Sequence, residues 1–193
     1  MNLSKSLYTR GLQCSKSLWL KKKKKAVLTP PDASAQAVFE TGNKVGALAC
    51  DLFPNGVEIP YENTSFQEKI DLTKKYIDDG IKNIYEATFQ YDNILVMVDI
   101  LHINEDGSFE IYEVKSSTEV KNVYIDDASI QYYVLFALGY DISSTNIVCI
   151  NNKYVRGKEL EINNLFNISN VTLEILEKQS NITSCLKKFE TVL

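Results

Sequence analysis

The chain has a single histidine, His102, and its four cysteines, Cys14, Cys50, Cys149 and Cys185, stand far apart with no Cys-x-x-Cys pair. One histidine leaves little support for Ser-His or Cys-His nucleophilic catalysis. Separate thiols in a cytosolic protein are expected to be reduced. Neither a Gly-x-x-x-x-Gly-Lys phosphate loop nor a His-Glu-x-x-His helix occurs. No apolar run approaches membrane-spanning length, so no membrane partner is expected. The first residues lack the continuous apolar core of a signal peptide, which makes the cytoplasm the expected location. A basic excess is missing too. With 21 Lys+Arg against 25 Asp+Glu the formal net charge is −4. No global field announces nucleic acid, and any such surface must be local or made by bound cations.

What is present suits one domain. Of 193 residues, 45% are hydrophobic and 24% charged, enough for a sizeable core. Residues 3–20 read as one or two short helices, with Leu3, Leu7, Leu12, Leu18 and Trp19 as apolar positions. The run Lys21–Lys25 follows as a solvated linker. Its sharper reading is a phosphate-contacting arm, since clustered lysines bind polyanions by releasing counterions. Residues 1–25 are thus an N-terminal helical segment and Lys-rich linker within a single domain over 1–193. The chain stops at Leu193 without an evident finish, which leaves open a longer parent protein with a C-terminal domain or partner outside it.

Asp32 or Ser34 is placed to cap a helix over about residues 33–52. Its small residues Gly42, Gly46, Ala47 and Ala49 predict close packing against another element. Val57–Pro60 reads as a short extended piece. Ser65-Phe66-Gln67-Glu68 has capping-box form, and Phe66, Ile70, Thr73 and Ile77 continue one helical stripe towards a stop at Gly80. Ile84–Phe89 and Thr145–Ile150 read as strands, with Leu160–Ile162 as a last short one. Asp126 is placed to cap a helix over about 126–138 ended by Gly139, and Val171–Leu176 opens a C-terminal helix. No internal repeat is present. The order helix, strand, hairpin, helix, strand predicts an α/β fold, a mixed sheet flanked by helices.

The stretch from Tyr85 to Tyr133 organises the rest. Two apolar runs, Ile94–Leu101 and Phe109–Val114, flank the turn signal Asp106-Gly107. Register decides what this hairpin can do. A two-residue loop would set Ile103 against Glu110 and His102 against Ile111. A three-residue loop, Glu105-Asp106-Gly107, pairs Leu101 with Ile111 and Ile103 with Phe109, and puts Gly107 where a left-handed residue is wanted. The second register is therefore predicted, and it brings Asp99 opposite Glu113. Strand alternation adds Lys115 to that face and turns Val114 away.

Two carboxylates facing each other repel unless something cationic lies between them. Lys115 serves partly; a divalent ion serves better. Mg²⁺ or Mn²⁺ takes hard oxygens, here Asp99, Glu113 and the backbone carbonyl of Val114. Such an ion acidifies water and stabilises phosphate charge, and Lys115 is placed to orient the water or neutralise developing charge. The metal also inverts the local sign, so acidic residues need not repel DNA. The bland reading of Asp99 and Glu113 is a pair of polar strand ends. A second Glu-Val-Lys, Glu119–Lys121, shows how readily the tripeptide arises by chance, but it lies in a polar segment rather than at the end of an apolar strand.

Taken in order, Tyr85-Glu86, Met97-Val98-Asp99, Glu113-Val114-Lys115 and Gln131 resemble the motifs of the PD-(D/E)xK nuclease superfamily. The set is most similar to the RecB-like branch, which includes the CRISPR-associated exonucleases. Leu3-Ser4-Lys5-Ser6, Gly11-Leu12-Gln13-Cys14, Val45–Ala49 with Leu52-Phe53-Pro54, and Gln131-Tyr132-Tyr133 resemble a bacterial family of unknown function that carries this domain near its N-terminus. The resemblance covers most of the chain. It implies a restriction-endonuclease-like fold and a metal-dependent nuclease acting on DNA, with single strands or free ends as substrates. Asp99 and Glu113 would be direct ligands, Glu86 a further metal contact, Lys115 the catalytic lysine, and Gln131 and Tyr132 substrate contacts. The alternatives are a nuclease-like module that binds nucleic acid or a protein without cutting, and an ordinary interaction domain. Two departures from the branch stand out: Gly42–Gly46 holds no histidine, and Leu135 stands where the branch has tyrosine. An iron–sulfur cluster needs four thiolates brought together, and only Cys185 lies near the C-terminus, so none is expected.

Overall fold

In this computed structural model, which describes residues 2–193, the chain opens with a two-residue strand, β1 (Leu3–Ser4), and two helices, α1 (Lys5–Gln13) and α2 (Ser15–Lys23). Ser4 caps α1 by accepting from the Leu7 N–H. Lys21–Lys23 form the last turn of α2 rather than a linker, where their charges complement the helix dipole. Helix α3 (Ala33–Ala49) starts at the Asp32 cap as expected, but only Val45 and Ala49 of it are buried. The expected close packing at Gly42 and Gly46 is absent: a side chain at either would meet nothing within 4 Å.

Strand β2 (Val57–Glu58) precedes α4 (Phe66–Asp78), which carries the full Ser65–Glu68 capping box. Phe66 proves exposed, but Thr73 is buried and Leu72, Tyr76 and Ile77 pack against the core as expected, with Lys69 buried beside them. The Lys69 ammonium lies 4.2 Å over the Tyr61 ring, which compensates its burial. Strands β3 (Asn83–Tyr91), β4 (Ile94–Ile103) and β5 (Phe109–Lys115) follow. Asp92 and Asn93 take left-handed conformations in the tight β3–β4 turn.

Helix α5 (Asn122–Ala137) begins before Asp126, so that residue is not its cap; the buried Ile125 anchors the added first turn. Gly139 ends it at φ +90°. Strand β6 (Ile142–Ile150) leads to the short α6 (Ile162–Leu165), to β7 (Phe166–Asn170) and to α7 (Thr172–Val192). The last strand is therefore Phe166–Asn170, not Leu160–Ile162; Phe166 is the buried anchor of the later segment.

The sheet order is β2-β3-β4-β5-β6-β7, with β1 also paired to β4. β2 and β3, β5 and β6, and β1 and β4 are parallel; the remaining neighbours are antiparallel. One face packs Leu101, Ile103 and Ile111 against Tyr8 of α1, Ile130 and Val134 of α5 and Phe189 of α7. The other packs Ile100, Tyr112 and Val148 against Val45 and Ala49 of α3. Among the described residues no helix is long and apolar enough to cross a membrane.

Candidate active site

The hairpin has the predicted register. Leu101 pairs with Ile111 and Ile103 with Phe109. Asn104 and Ser108 close a three-residue loop in which Gly107 has φ +85°. Continuing that ladder sets Asp99 beside Glu113, and both turn to the face covered by α1 and α5. The Val114 N–H donates to Asp99 Oδ2 at 2.7 Å, fixing that carboxylate against the end of β5. In an extended strand the N–H and C=O of one residue leave by the same edge, so the Val114 carbonyl shares the Asp99 side.

Glu113 is the centre of the site. Its side chain is 1% exposed. Lys5 donates to both its oxygens at 3.0 and 2.9 Å, Lys115 to Oε1 at 2.5 Å, and Gln131 Nε2 to Oε2 at 2.6 Å. Burial alone would raise its pKa, but the two ammonium groups outweigh burial and hold it well below the usual carboxylate range. Lys115 also donates to Asp127 Oδ2 at 2.6 Å and lies over the Tyr124 ring. Burial works against the charge of Lys5 and Lys115, yet the facing carboxylates keep both firmly protonated.

Asp99 behaves oppositely. Burial, reinforced by the charge of Glu113, pushes it up to about 7 despite Lys5 and Lys115. Burial likewise raises Asp127 and Glu86. Asp99 keeps 25% of its side-chain surface exposed and Lys115 20%, so solvent reaches this side of the cluster but not Glu113.

Glu86 lies on β3 at the position facing Asp99, between the pairs Tyr85–Ile100 and Ala87–Val98. Its φ is +57°, unusual for a non-glycine inside a strand. The kink resets the alternation of both strands. Ile84 and Ala87, three residues apart, pack into the same core, as do Val98 and Leu101 on β4. Tyr85 points to the opposite face, where its hydroxyl donates to the Phe53 carbonyl at 2.5 Å and accepts from the Gly56 N–H at 3.2 Å.

Of the residues singled out in the sequence, Asp99, Glu113, Lys115 and Gln131 converge, with Glu86 beside them. Tyr132 does not join them. It is buried among Ile125, Ala128, Ile147 and Ile175, because one residue beyond Gln131 the helix has turned about 100° towards β6 and α7. His102 is also apart from the site, hydrogen-bonded to Asn83. Two members were missed. Lys5 reaches Glu113 across 108 residues of sequence and left no local trace. Asp127 stands four residues before Gln131 on α5, the spacing that puts two side chains on one helical face, and that signal was available.

A hard divalent cation fits the chemistry of this donor set. Four carboxylates, Glu86, Asp99, Glu113 and Asp127, face two ammonium groups, Lys5 and Lys115. All the free donors are oxygens, and the buried Gln131 Oε1 lacks a hydrogen-bond donor. Among the described residues, however, no three acidic, histidine or cysteine side chains are already gathered as a metal site.

No family model matches the sequence, and no curated protein does. Solved structures do. An alkaline exonuclease, LHK-Exo, from Laribacter hongkongensis aligns over 98% of this chain and 88% of its own, with TM-score 0.51 and 10% identity. The same exonuclease in complex with dAMP aligns over the same shares with TM-score 0.50 and 10% identity. The fold is restriction-endonuclease-like. Within that fold, the acidic pair and lysine stand where the central hairpin ends, beneath the helix that carries Gln131.

Proposed function

We propose that this chain is a divalent-metal-dependent nuclease that hydrolyses phosphodiester bonds, with DNA as the favoured substrate, of the RecB-like kind its ordered motifs resemble. The observation that carries the reading is the convergence of Asp99, Glu113 and Lys115 on one face, at the solvent-reachable end of the central hairpin of a restriction-endonuclease-like sheet. Asp99, Glu113 and the Val114 carbonyl would hold Mg²⁺ or Mn²⁺, with Glu86 within the same cluster. When bound, the ion supplies Lewis acidity for water and phosphate.

The protein's own groups divide the remaining work. Lys115 holds a positive charge next to the acidic pair and stabilises negative charge as it develops on the phosphate oxygens. Asp127 grips that ammonium from the far side and fixes its position. Gln131 holds Glu113 in a single orientation. The likeness to an alkaline exonuclease supports substrates with free ends.

The test is cleavage of linear and circular DNA with added Mn²⁺ or Mg²⁺. Lys115→Ala is expected to lower the rate by at least about 100-fold with the fold retained by circular dichroism. A second reading, a module that binds nucleic acid without cutting, is favoured by one observation: the Lys5 ammonium already fills the space between Asp99 and Glu113. Metal binding without turnover on any DNA or RNA would select it.

A further inference from the structure

The roles above leave Lys5 unused, although its ammonium stands 2.9 and 3.0 Å from the Glu113 oxygens and 3.8 Å from Asp99 Oδ1. The position follows from the backbone. Leu3 and Ser4 pair with Ile94 and Leu95, on the edge of β4 that β5 occupies further along at Ile100–Ile103. β1 and β5 therefore share one edge with a gap between them, and Lys5 enters the gap where Asp99 lies. Both ends of its helix are fixed. Ser4 caps the start, and at Gly11 a side chain would lie 2.6 Å from the Phe189 ring, so α1 is pressed against α7.

We propose that Lys5 is a built-in counter-cation, a positioning residue that holds Asp99 and Glu113 together in the metal-free protein and yields its place when a divalent ion binds. The proposal rests on the metal-dependent reading. One ammonium and one divalent ion cannot both lie between the same two carboxylates, since like charges at that separation repel strongly. The displaced ammonium stays tethered to the first turn of α1, at the rim of the cluster. There it meets the phosphate of a nucleic-acid chain as a flexible point charge, the way lysines bind phosphate. Lys5 thus sets two properties at once: it weakens metal affinity and strengthens substrate affinity.

The experiment titrates Mn²⁺ into the wild type, Lys5→Met and Lys5→Arg by calorimetry, with melting curves in EDTA and in Mn²⁺. Lys5→Met, similar in length and uncharged, is expected to bind Mn²⁺ on the order of tenfold more tightly. It is expected to melt below the wild type in EDTA, because its two carboxylates face each other unscreened, and to gain more from Mn²⁺. Lys5→Arg keeps the charge and should keep the weak affinity. With DNA, Lys5→Met should raise KM more than it lowers kcat. If Lys5→Met folds only when Mn²⁺ is present, the ion is replacing the lysine and the proposal stands. If the wild type binds Mn²⁺ and Lys5→Met binds no more tightly, the proposal falls and the nuclease reading survives. If neither binds any divalent ion, both fall.

Discussion

Glu113 and Asp99 are neighbours with opposite energetics. Glu113 accepts from two ammonium groups and an amide in a buried setting. Removing its charge leaves Lys5 and Lys115 without their shared partner, and breaking a buried pair from one side costs about 3–5 kcal/mol. Glu113→Gln is therefore expected to lose stability on that scale in urea denaturation. Asp99 accepts from the Val114 N–H and lies 3.8 Å from the Lys5 ammonium, but it also faces the charge of Glu113. Its ionised form is disfavoured in the folded state, so Asp99→Asn should melt at or above the wild-type temperature at pH 8 without metal, yet show no rise with Mn²⁺. That makes Asp99→Asn the cleaner variant for separating chemistry from folding. At this scale the sequence was partly legible. Matched apolar pairs and Gly107 fixed the hairpin register, and with it Asp99 opposite Glu113. Asp127 resembles any polar helix residue until its spacing from Gln131 is used, and the role of Lys5 is invisible because its contact spans more than half the chain.

Among the elements, β3 carries an irregularity that shapes the site. Glu86 sits at φ +57° where the alternation of β3 and β4 resets. A left-handed non-glycine costs on the order of 1–3 kcal/mol, and a β-branched side chain tolerates it least. Glu86→Val is expected to be less stable than Glu86→Gly by about 1–2 kcal/mol, as measured by urea denaturation, since only glycine accepts that conformation freely. Equal stabilities would mean that the kink relaxes on substitution. Elements with strong patterns were readable: the Ser65 capping box, the central hairpin and the β-branched run of β6. Those without one were not. β1 has two residues and exists only because β4 offers an edge. β7 is Asn-rich, Phe166–Asn170, so the apolar Leu160 and Ile162 drew the assignment upstream. The start of α5 lacks a side-chain cap, which left Asp126 as the more persuasive signal.

For the molecule as a whole, the acidic cluster makes stability depend on pH and, on the proposed metal-dependent reading, on a bound cation. The folded pKa of Asp99 is raised from 3.8 to about 7, so this group favours the native state at low pH and that contribution is lost as pH rises from about 4 to 7. Glu86 and Asp127 shift in the same direction. Glu113, whose pKa is lowered, contributes stability at neutral pH that is lost as pH falls below its ordinary value. Metal-free protein should therefore melt highest near about pH 5. The Mn²⁺-induced rise in melting temperature should be larger at pH 8 than at pH 5, because a protonated Asp99 has less to offer a cation. Calorimetry across that range checks both statements, and a pH-independent rise would contradict them.

The contact of Tyr8 and Gly11 with Phe189 joins the first helix to the last. Lys5 is translated before every other member of the acidic centre, yet Phe189, which anchors the far end of its helix, is translated after all of them. A nascent chain halted before α7 would already possess Glu86, Asp99, Glu113, Lys115, Asp127 and Gln131, and the Ser4 cap of α1, but the far end of that helix would lack its anchor. Full clamping of the helix that carries Lys5 thereby waits until α7 has been made.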